Sequence, residues 1–200
     1  MLLAALTGNI GCGKSTVLEA FSRMGWFTLS ADAICHDIYY SGDQEFNATI
    51  AERWGAEIIS QDGMADRKKI AAIVFHDKKE LNWLNSVLHP LIMDKAERIF
   101  LTCGKELVLF EVPLLYEAKF EDRFSITICV WTSAANQIKR LKERGFDEKD
   151  IRQRMENQLS ADVKLEKSDY GLINESGVGL LNEQCEILNH QIREEHGRQR

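Results

Sequence analysis

Apolar residues along this chain fall into a few short unbroken runs separated by long stretches with helical spacing. The run Leu2 to Thr7 is followed at once by glycines, which predicts a buried strand, a Gly-rich loop and then a helix from about Lys14 to Met24. Further strands are predicted at Phe27 to Leu29, Leu107 to Phe110 and Ile126 to Trp131, with a weaker fifth at Tyr170 to Ile173. Buried strands alternating with helices indicate an α/β fold: a parallel five-stranded sheet covered by helices on both faces. Between the second and third strands lie helical patterns with charged faces at Ala33 to Tyr40, Asp43 to Trp54, Asp66 to Phe75 and Lys78 to Leu101. A simple crossover needs far fewer residues, so a helical insertion on one edge of the sheet is expected. A second charge-dense helical stretch covers residues 137 to 160, and a C-terminal helix from Leu180 is expected to fray over its polar end, Glu194 to Arg200.

Composition narrows this picture. With 200 residues and 44% hydrophobic content, the chain supports one domain of ordinary size with a buried core. A net charge of −6 argues against a general nucleic-acid or membrane-surface binder, so a polyanionic ligand must find a locally basic site. Such a site is available: seven basic residues lie between Gln137 and Arg154 against four acidic ones. Only two prolines occur, which excludes collagen-like, linker-rich and disordered classes. Cys12, Cys35, Cys103, Cys129 and Cys185 are odd in number and widely spaced, and form neither a disulfide framework nor a zinc motif. The apolar N-terminus has no basic residues before it and is too short to span a membrane, so a reduced, cytoplasmic setting is expected.

The most specific local signal is Gly8-Asn9-Ile10-Gly11-Cys12-Gly13-Lys14-Ser15, which matches G-x-x-x-x-G-K-[ST] between a predicted strand and a predicted helix. Glycines let successive backbone N–H groups turn inward onto phosphate oxygens, and the helix N-terminus adds partial positive charge. In this arrangement Lys14 reaches the β- and γ-phosphates and the Ser15 hydroxyl ligates Mg²⁺. The competing reading is a Gly-rich turn capped by Ser15 or Thr16. The D-x-x-G and N-K-x-D motifs of translational-type GTPases are missing, as is an ATP-binding-cassette signature. A small kinase remains, in which ATP donates to a bound small molecule and a basic lid, the 137 to 154 stretch, excludes water.

Asp32 follows the second strand, where ligands of open parallel sheets sit, and is either a general base or a cap of the helix beginning near Ala33. Leu107-Val108-Leu109-Phe110-Glu111 has the form of a Walker B strand, a pattern also common by chance. Arg140 and Arg144 lie four apart on one helical face: either a solvated surface or a pair that holds an anion. Cys12, at a helix N-terminus beside Lys14, is expected to favour its thiolate, to alkylate rapidly and to be protected by ATP.

Taken together, these residues resemble the dephospho-coenzyme A kinase family over nearly the whole chain. Ala5 to Thr16 resembles its opening A-L-T-G-G-I-G-S-G-K-S-T, and Ser30-Ala31-Asp32 its D-A-D. Leu88-His89-Pro90-Leu91-Ile92 resembles its H-P-L-I segment, Val112 to Leu115 followed by Glu117 its V-P-L-L-x-E, and Gln137, Arg140 and Arg144 its Q-x-x-R-x-x-x-R. Arg154 and Gln158 fall in the pattern after that. The resemblance implies a P-loop kinase fold that transfers phosphate from ATP, with Mg²⁺, to the ribose 3′-hydroxyl of dephospho-CoA. It implies Asp32 as base, with Lys14 and Arg140 as the other catalytic residues. Gly8, Gly11, Cys12, Gly13, Lys14, Ser15, Thr16 and Arg144 would hold ATP, Thr7, Asp32 and His89 the acceptor, and Ser15 the metal. One domain is expected: a core of about 1–32, 105–135 and 165–200, a helical acceptor-binding insertion of about 33–104 and a helical lid of about 136–160. The implied partner is the small-molecule substrate alone, with no nucleic acid or membrane, and the chain is expected to be a monomer or weak homo-oligomer. His89 is either an acceptor contact or a satisfied turn residue at a helix boundary. This chain departs from the family pattern at Ser30, at Cys12, and at Ile173-Asn174-Glu175-Ser176-Gly177 where I-D-N-x-G is usual.

Overall fold

The computed structural model describes residues 1–198, which form two compact units: Met1–Ser30 together with Cys103 onward, and Ala31–Thr102. In the first unit, β1 (Leu2–Thr7), β2 (Phe27–Ser30), β3 (Leu107–Glu111), β4 (Ile126–Trp131) and β5 (Tyr170–Ile173) make one parallel sheet in the order β2-β3-β1-β4-β5. All five strands end on the same edge, with Leu6 in register with Glu111 on one side and with Ile128 on the other. The chain leaves central β1 toward β2 and only later crosses to β4, so the carboxyl end of β1 is a topological switch point where ligands of such sheets bind.

One face of the sheet is covered by α1 (Lys14–Arg23) and α9 (Val178–Arg198). Ala4, Leu6, Leu109 and Ile128 pack there with Val17, Phe21, Leu181, Cys185 and Ile192, a buried apolar layer that is the main favourable term holding the loop's two flanks together. The remaining helices of this unit are α6 (Ala134–Glu143), α7 (Glu148–Glu156) and α8 (Ala161–Lys167).

The charge-dense stretch expected to be helical over 137 to 160 is helical, as two helices. Gly145 adopts φ 85° and the Phe146 N–H returns to the Leu141 carbonyl at 3.1 Å, a Schellman stop that ends α6 before Asp147 caps α7. Helix α8 has no counterpart in the sequence reading. The C-terminal helix does not fray over Glu194 to Arg198, because the Tyr170 hydroxyl donates to Glu195 at 2.7 Å and Arg193 donates to the Met24 carbonyl at 2.8 Å. Gln199 and Arg200, the rest of that expectation, lie outside the described residues.

The second unit consists of α2 (Ala31–Tyr40), α3 (Gln44–Trp54), α4 (Arg67–His76) and α5 (Lys78–Thr102). Asp43 and Asp66 are N-caps of α3 and α4, accepting backbone N–H groups from Phe46 and from Lys68 and Lys69. Helix α5 runs unbroken through Pro90, which an isolated helix would resist by ~3 kcal/mol. Its buried stripe Leu84, Leu88, Ile92, Ala96 and Phe100, spaced by four, supplies the packing that offsets this cost. His89 accordingly lies in the middle of a helix, and the expectation of a helix boundary there is not met. Among the described residues, no helix is long and apolar enough to cross a membrane.

Candidate active site

The loop between β1 and α1 closes on itself through glycine geometry. Gly8 has φ 141° and Gly13 φ 105°, and a Cβ at either position would collide, with the Val130 carbonyl in one case and the Asn174 side chain in the other. Lys14, at the first position of α1, donates to the carbonyls of Gly8 at 3.0 Å and Asn9 at 3.2 Å. Its ammonium lies 3.9 Å from the Glu111 carboxylate at the end of β3. The Walker B form of β3 thus does place its acid beside the phosphate-loop lysine. The hydroxyls of Ser15, exposed, and Thr16, half-buried, make no side-chain hydrogen bond among the described residues, so neither caps the turn.

Cys12 reverses the expectation made for it. Its side chain is fully buried, and burial pushes the thiol above its ordinary value although Lys14 pulls the other way. A thiol in this setting is protonated and shielded from alkylating agents. Thr7 is also fully buried, its hydroxyl donating to the Pro113 carbonyl at 3.4 Å.

Arg140 reaches the loop from α6. Its guanidinium donates to the carbonyls of Gly11 at 3.3 Å and Cys12 at 3.4 Å, and to the backbone and side-chain oxygens of Asn174 at 2.8 and 3.2 Å. Asn174 in turn donates to the Cys12 carbonyl at 2.8 Å. A rigid cation and an amide therefore grip the loop's outward carbonyls, while within the loop the Ile10 N–H is taken by the Gln158 side chain and the Cys12 N–H by the Asn9 carbonyl. Arg144 caps the end of α6, is exposed, and makes no side-chain hydrogen bond or ion pair among the described residues. The two arginines of the expected pair thus have different surroundings.

Glu175, one of the departures from the family pattern, anchors the start of α6. Its carboxylate accepts from the Ser133 backbone N–H, the Thr132 and Ser133 hydroxyls and the Asn136 amide. These bonds, the Ser133 N–H foremost, bring its pKa down to about 2. Asn174 and Glu175 thus jointly set the helix that carries Arg140. Sequence reasoning assigned them no such role, and a four-residue convergence across the sheet edge leaves no local signal.

Two further buried polar residues, unassigned from sequence, are Lys164 behind the loop and Asn9 within it. Lys164 on α8 is completely buried, and burial lowers its pKa despite the Glu117 carboxylate at 2.8 Å. Asn9 is buried too and donates to the Leu159 carbonyl at 3.0 Å. Beside Asn9 a cavity of about 450 Å³ is lined also by Trp131, Thr132, Gln137, Met155 and Gln158.

In the other unit, α2 starts at Ala31, so Asp32 is inside the first turn and does not cap a helix beginning at Ala33. It is exposed and makes no hydrogen bond or ion pair among the described residues. His89 is half-buried, and burial lowers its pKa. Among the described residues no cluster of three or more His, Cys, Asp or Glu could hold a metal ion by itself.

A parallel sheet with a glycine-built anion loop leaving its central strand, a lysine in that loop and an arginine gripping it from a neighbouring helix define a P-loop kinase. Solved structures agree on the fold: shikimate kinase from Acinetobacter baumannii matches with a TM-score of 0.55 at 15% identity, over 98% of this chain and 94% of its own. Dephospho-CoA kinase from Campylobacter jejuni matches with a TM-score of 0.72 at 25% identity, over 97% of this chain and 98% of its own. In sequence, the dephospho-CoA kinase of Leptospira interrogans is 36% identical, covering 93% of this chain and 90% of the relative. That of Helicobacter pylori is 36% identical over 91% and 93%. The family model for dephospho-CoA kinase matches residues 2–179, and the chain belongs to that family. It is a kinase that phosphorylates dephospho-CoA in coenzyme A biosynthesis, with ATP as the phosphoryl donor.

Proposed function

We propose that this chain transfers the γ-phosphoryl group of ATP to the ribose 3′-hydroxyl of dephospho-CoA, with Asp32 as general base. The observation that carries the reading is the phosphate loop, with Lys14 bonded to its carbonyls beside Glu111 and Arg140 behind it. Triphosphate oxygens take over the Lys14 ammonium and the loop N–H groups, with Arg140 and Arg144 adding positive charge, while Gly8, Gly11, Cys12, Gly13 and Thr16 shape the cradle. The 3′-oxygen attacks the γ-phosphorus, the bond from that phosphorus to the β-phosphate bridging oxygen breaks, and the hydroxyl proton passes to the Asp32 carboxylate. Support for Asp32 is its place directly after β2 and its unengaged carboxylate. Thr7 and His89 belong to the acceptor side in this reading, with 33–104 as the acceptor-binding insertion and 136–160 as the lid.

The donor set near the loop fits Mg²⁺. Ser15 offers an unengaged hydroxyl and Glu111 a carboxylate, both hard oxygen donors, and a cation of this kind keeps most of its other sites for water and phosphate. Ser15 would hold the ion directly and Glu111 through water, and the bound ion would neutralise charge on the transferring phosphate. The partner is a small molecule, the setting cytoplasmic, and the chain acts as a monomer or weak homo-oligomer.

The test is ATP consumption with dephospho-CoA, adenosine, AMP and no acceptor, with the product's phosphate position read by NMR. Turnover with dephospho-CoA alone, giving a 3′-phosphate, is the expected outcome. Turnover with AMP or adenosine, or nucleotide binding without transfer, contradicts the reading.

A further inference from the structure

Lys164 is a charged side chain with no exposure, and its place in the phosphate-transfer machinery follows from what its ammonium touches. It donates to the Pro113 carbonyl at 2.7 Å and pairs with Glu117 at 2.8 Å. The same Glu117 oxygen accepts the Leu159 N–H at 2.8 Å. Leu159 passes the connection on, since its carbonyl receives the Asn9 side chain at 3.0 Å, and the adjacent Gln158 side chain receives the Ile10 N–H at 3.1 Å. Pro113, on the other side of the ammonium, also accepts the Thr7 hydroxyl at 3.4 Å. Both ends of the first half of the phosphate loop, Thr7 before it and Asn9 and Ile10 within it, are thereby referred to one buried ion pair.

Stability does not explain such a pair. Taking two charges out of water is costly, and replacement of a buried pair by apolar groups of similar volume is often neutral or stabilising. What the pair supplies is direction: a carboxylate that must accept from Leu159 at one place holds the α7–α8 joint where its carbonyl and the Gln158 amide meet the loop. The other oxygen of Glu117 is buried and without a partner among the described residues, so its single-sided engagement leaves little tolerance for displacement.

We propose that Lys164 and Glu117 are positioning residues for phosphoryl transfer, whose buried ion pair holds the Gln158–Leu159 segment on the phosphate loop and so sets Asn9 and Ile10 for ATP. The proposal rests on the phosphate-loop reading above. Neither residue touches substrate; both act through the loop, which a displacement of about 1 Å is enough to detune.

The experiment compares wild type with Lys164→Met, Glu117→Gln and the double variant, which leaves no unpaired buried charge and is expected to fold if a single variant does not. Thermal melts measure the folded fraction; steady-state kinetics with ATP and dephospho-CoA, and calorimetric ATP titration, measure the loop. The expected result for the folded double variant is a KM for ATP raised about 5-fold and kcat lowered about 10-fold, with the KM for dephospho-CoA within about 2-fold of wild type. A folded double variant with wild-type kcat and KM for ATP overturns the proposal, as does an activity loss that merely follows the unfolded fraction. Should wild type fail to phosphorylate dephospho-CoA, the acceptor reading fails alone. The calorimetric arm still decides this proposal, about 5-fold weaker ATP binding supporting it and unchanged binding overturning it.

Discussion

The two units hold their candidate residues in opposite ways. Around the phosphate loop three charges are already engaged, Lys14 with loop carbonyls and Glu111, Arg140 with Gly11, Cys12 and Asn174, and Lys164 with Glu117, while Arg144 stays exposed. In the 31–102 unit the ion pairs Arg53 with Glu80 and Lys95 with Asp43 join residues given no part in the chemistry, while Asp32 is exposed and makes no hydrogen bond or ion pair among the described residues. The difference matches the chemistry proposed for each. Charge stabilisation works best from dipoles fixed before reaction, whereas a base needs a carboxylate that no other donor already satisfies.

Removing the loop's cation is the strongest way to break this contrast. Lys14→Ala is expected to lower kcat by roughly 10²- to 10³-fold and to weaken ATP binding, as steady-state kinetics and calorimetry would show. An enzyme unaffected by that change would contradict the pre-engaged loop. Next in size is Arg140→Lys, which keeps the charge but loses the planar fork that spans Gly11, Cys12 and Asn174. A fall in kcat of about 10-fold is expected, and full activity would show that charge alone suffices.

Two smaller effects sharpen the picture of what burial does. Iodoacetamide is expected to modify the partly exposed Cys35 and Cys103 well before Cys12, with mass spectrometry of digests as the readout; early modification of Cys12 would show that Lys14 outweighs burial. Glu175 has a folded pKa of about 2, below its ordinary 4.5. Its contribution to stability is therefore complete above about pH 4.5 and is lost as pH falls toward 2. Glu175→Gln should flatten the acid limb of a stability–pH profile over that window, and an unchanged limb would remove Glu175 from it.

Strands β1, β4 and β5 were legible because apolar runs bounded by turn residues are local signals, and the glycine-rich loop was legible because its chemistry requires fixed spacing. The break between α6 and α7 was missed even though Gly145 marks it, because the charged pattern continues on both sides. Cys12 was misread because sequence displays the neighbouring charges but not the burial that opposes them. Lys164 was invisible for a related reason: in the seven-residue helix Ala-Asp-Val-Lys-Leu-Glu-Lys a lysine reads as solvated, and only the fold brings Pro113 and Glu117 to it. Asn174 and Glu175 were noticed as departures, yet their bonds to Cys12, Arg140 and the start of α6 are long-range.

The contrast between an engaged phosphate loop and the unengaged carboxylate proposed as base is tested most directly on Asp32→Ala, by measuring ATP affinity and turnover on the same preparation. The expected result is an ATP Kd within about 2-fold of wild type together with a kcat lowered by roughly 10²- to 10⁴-fold. Normal turnover in that variant would contradict the account.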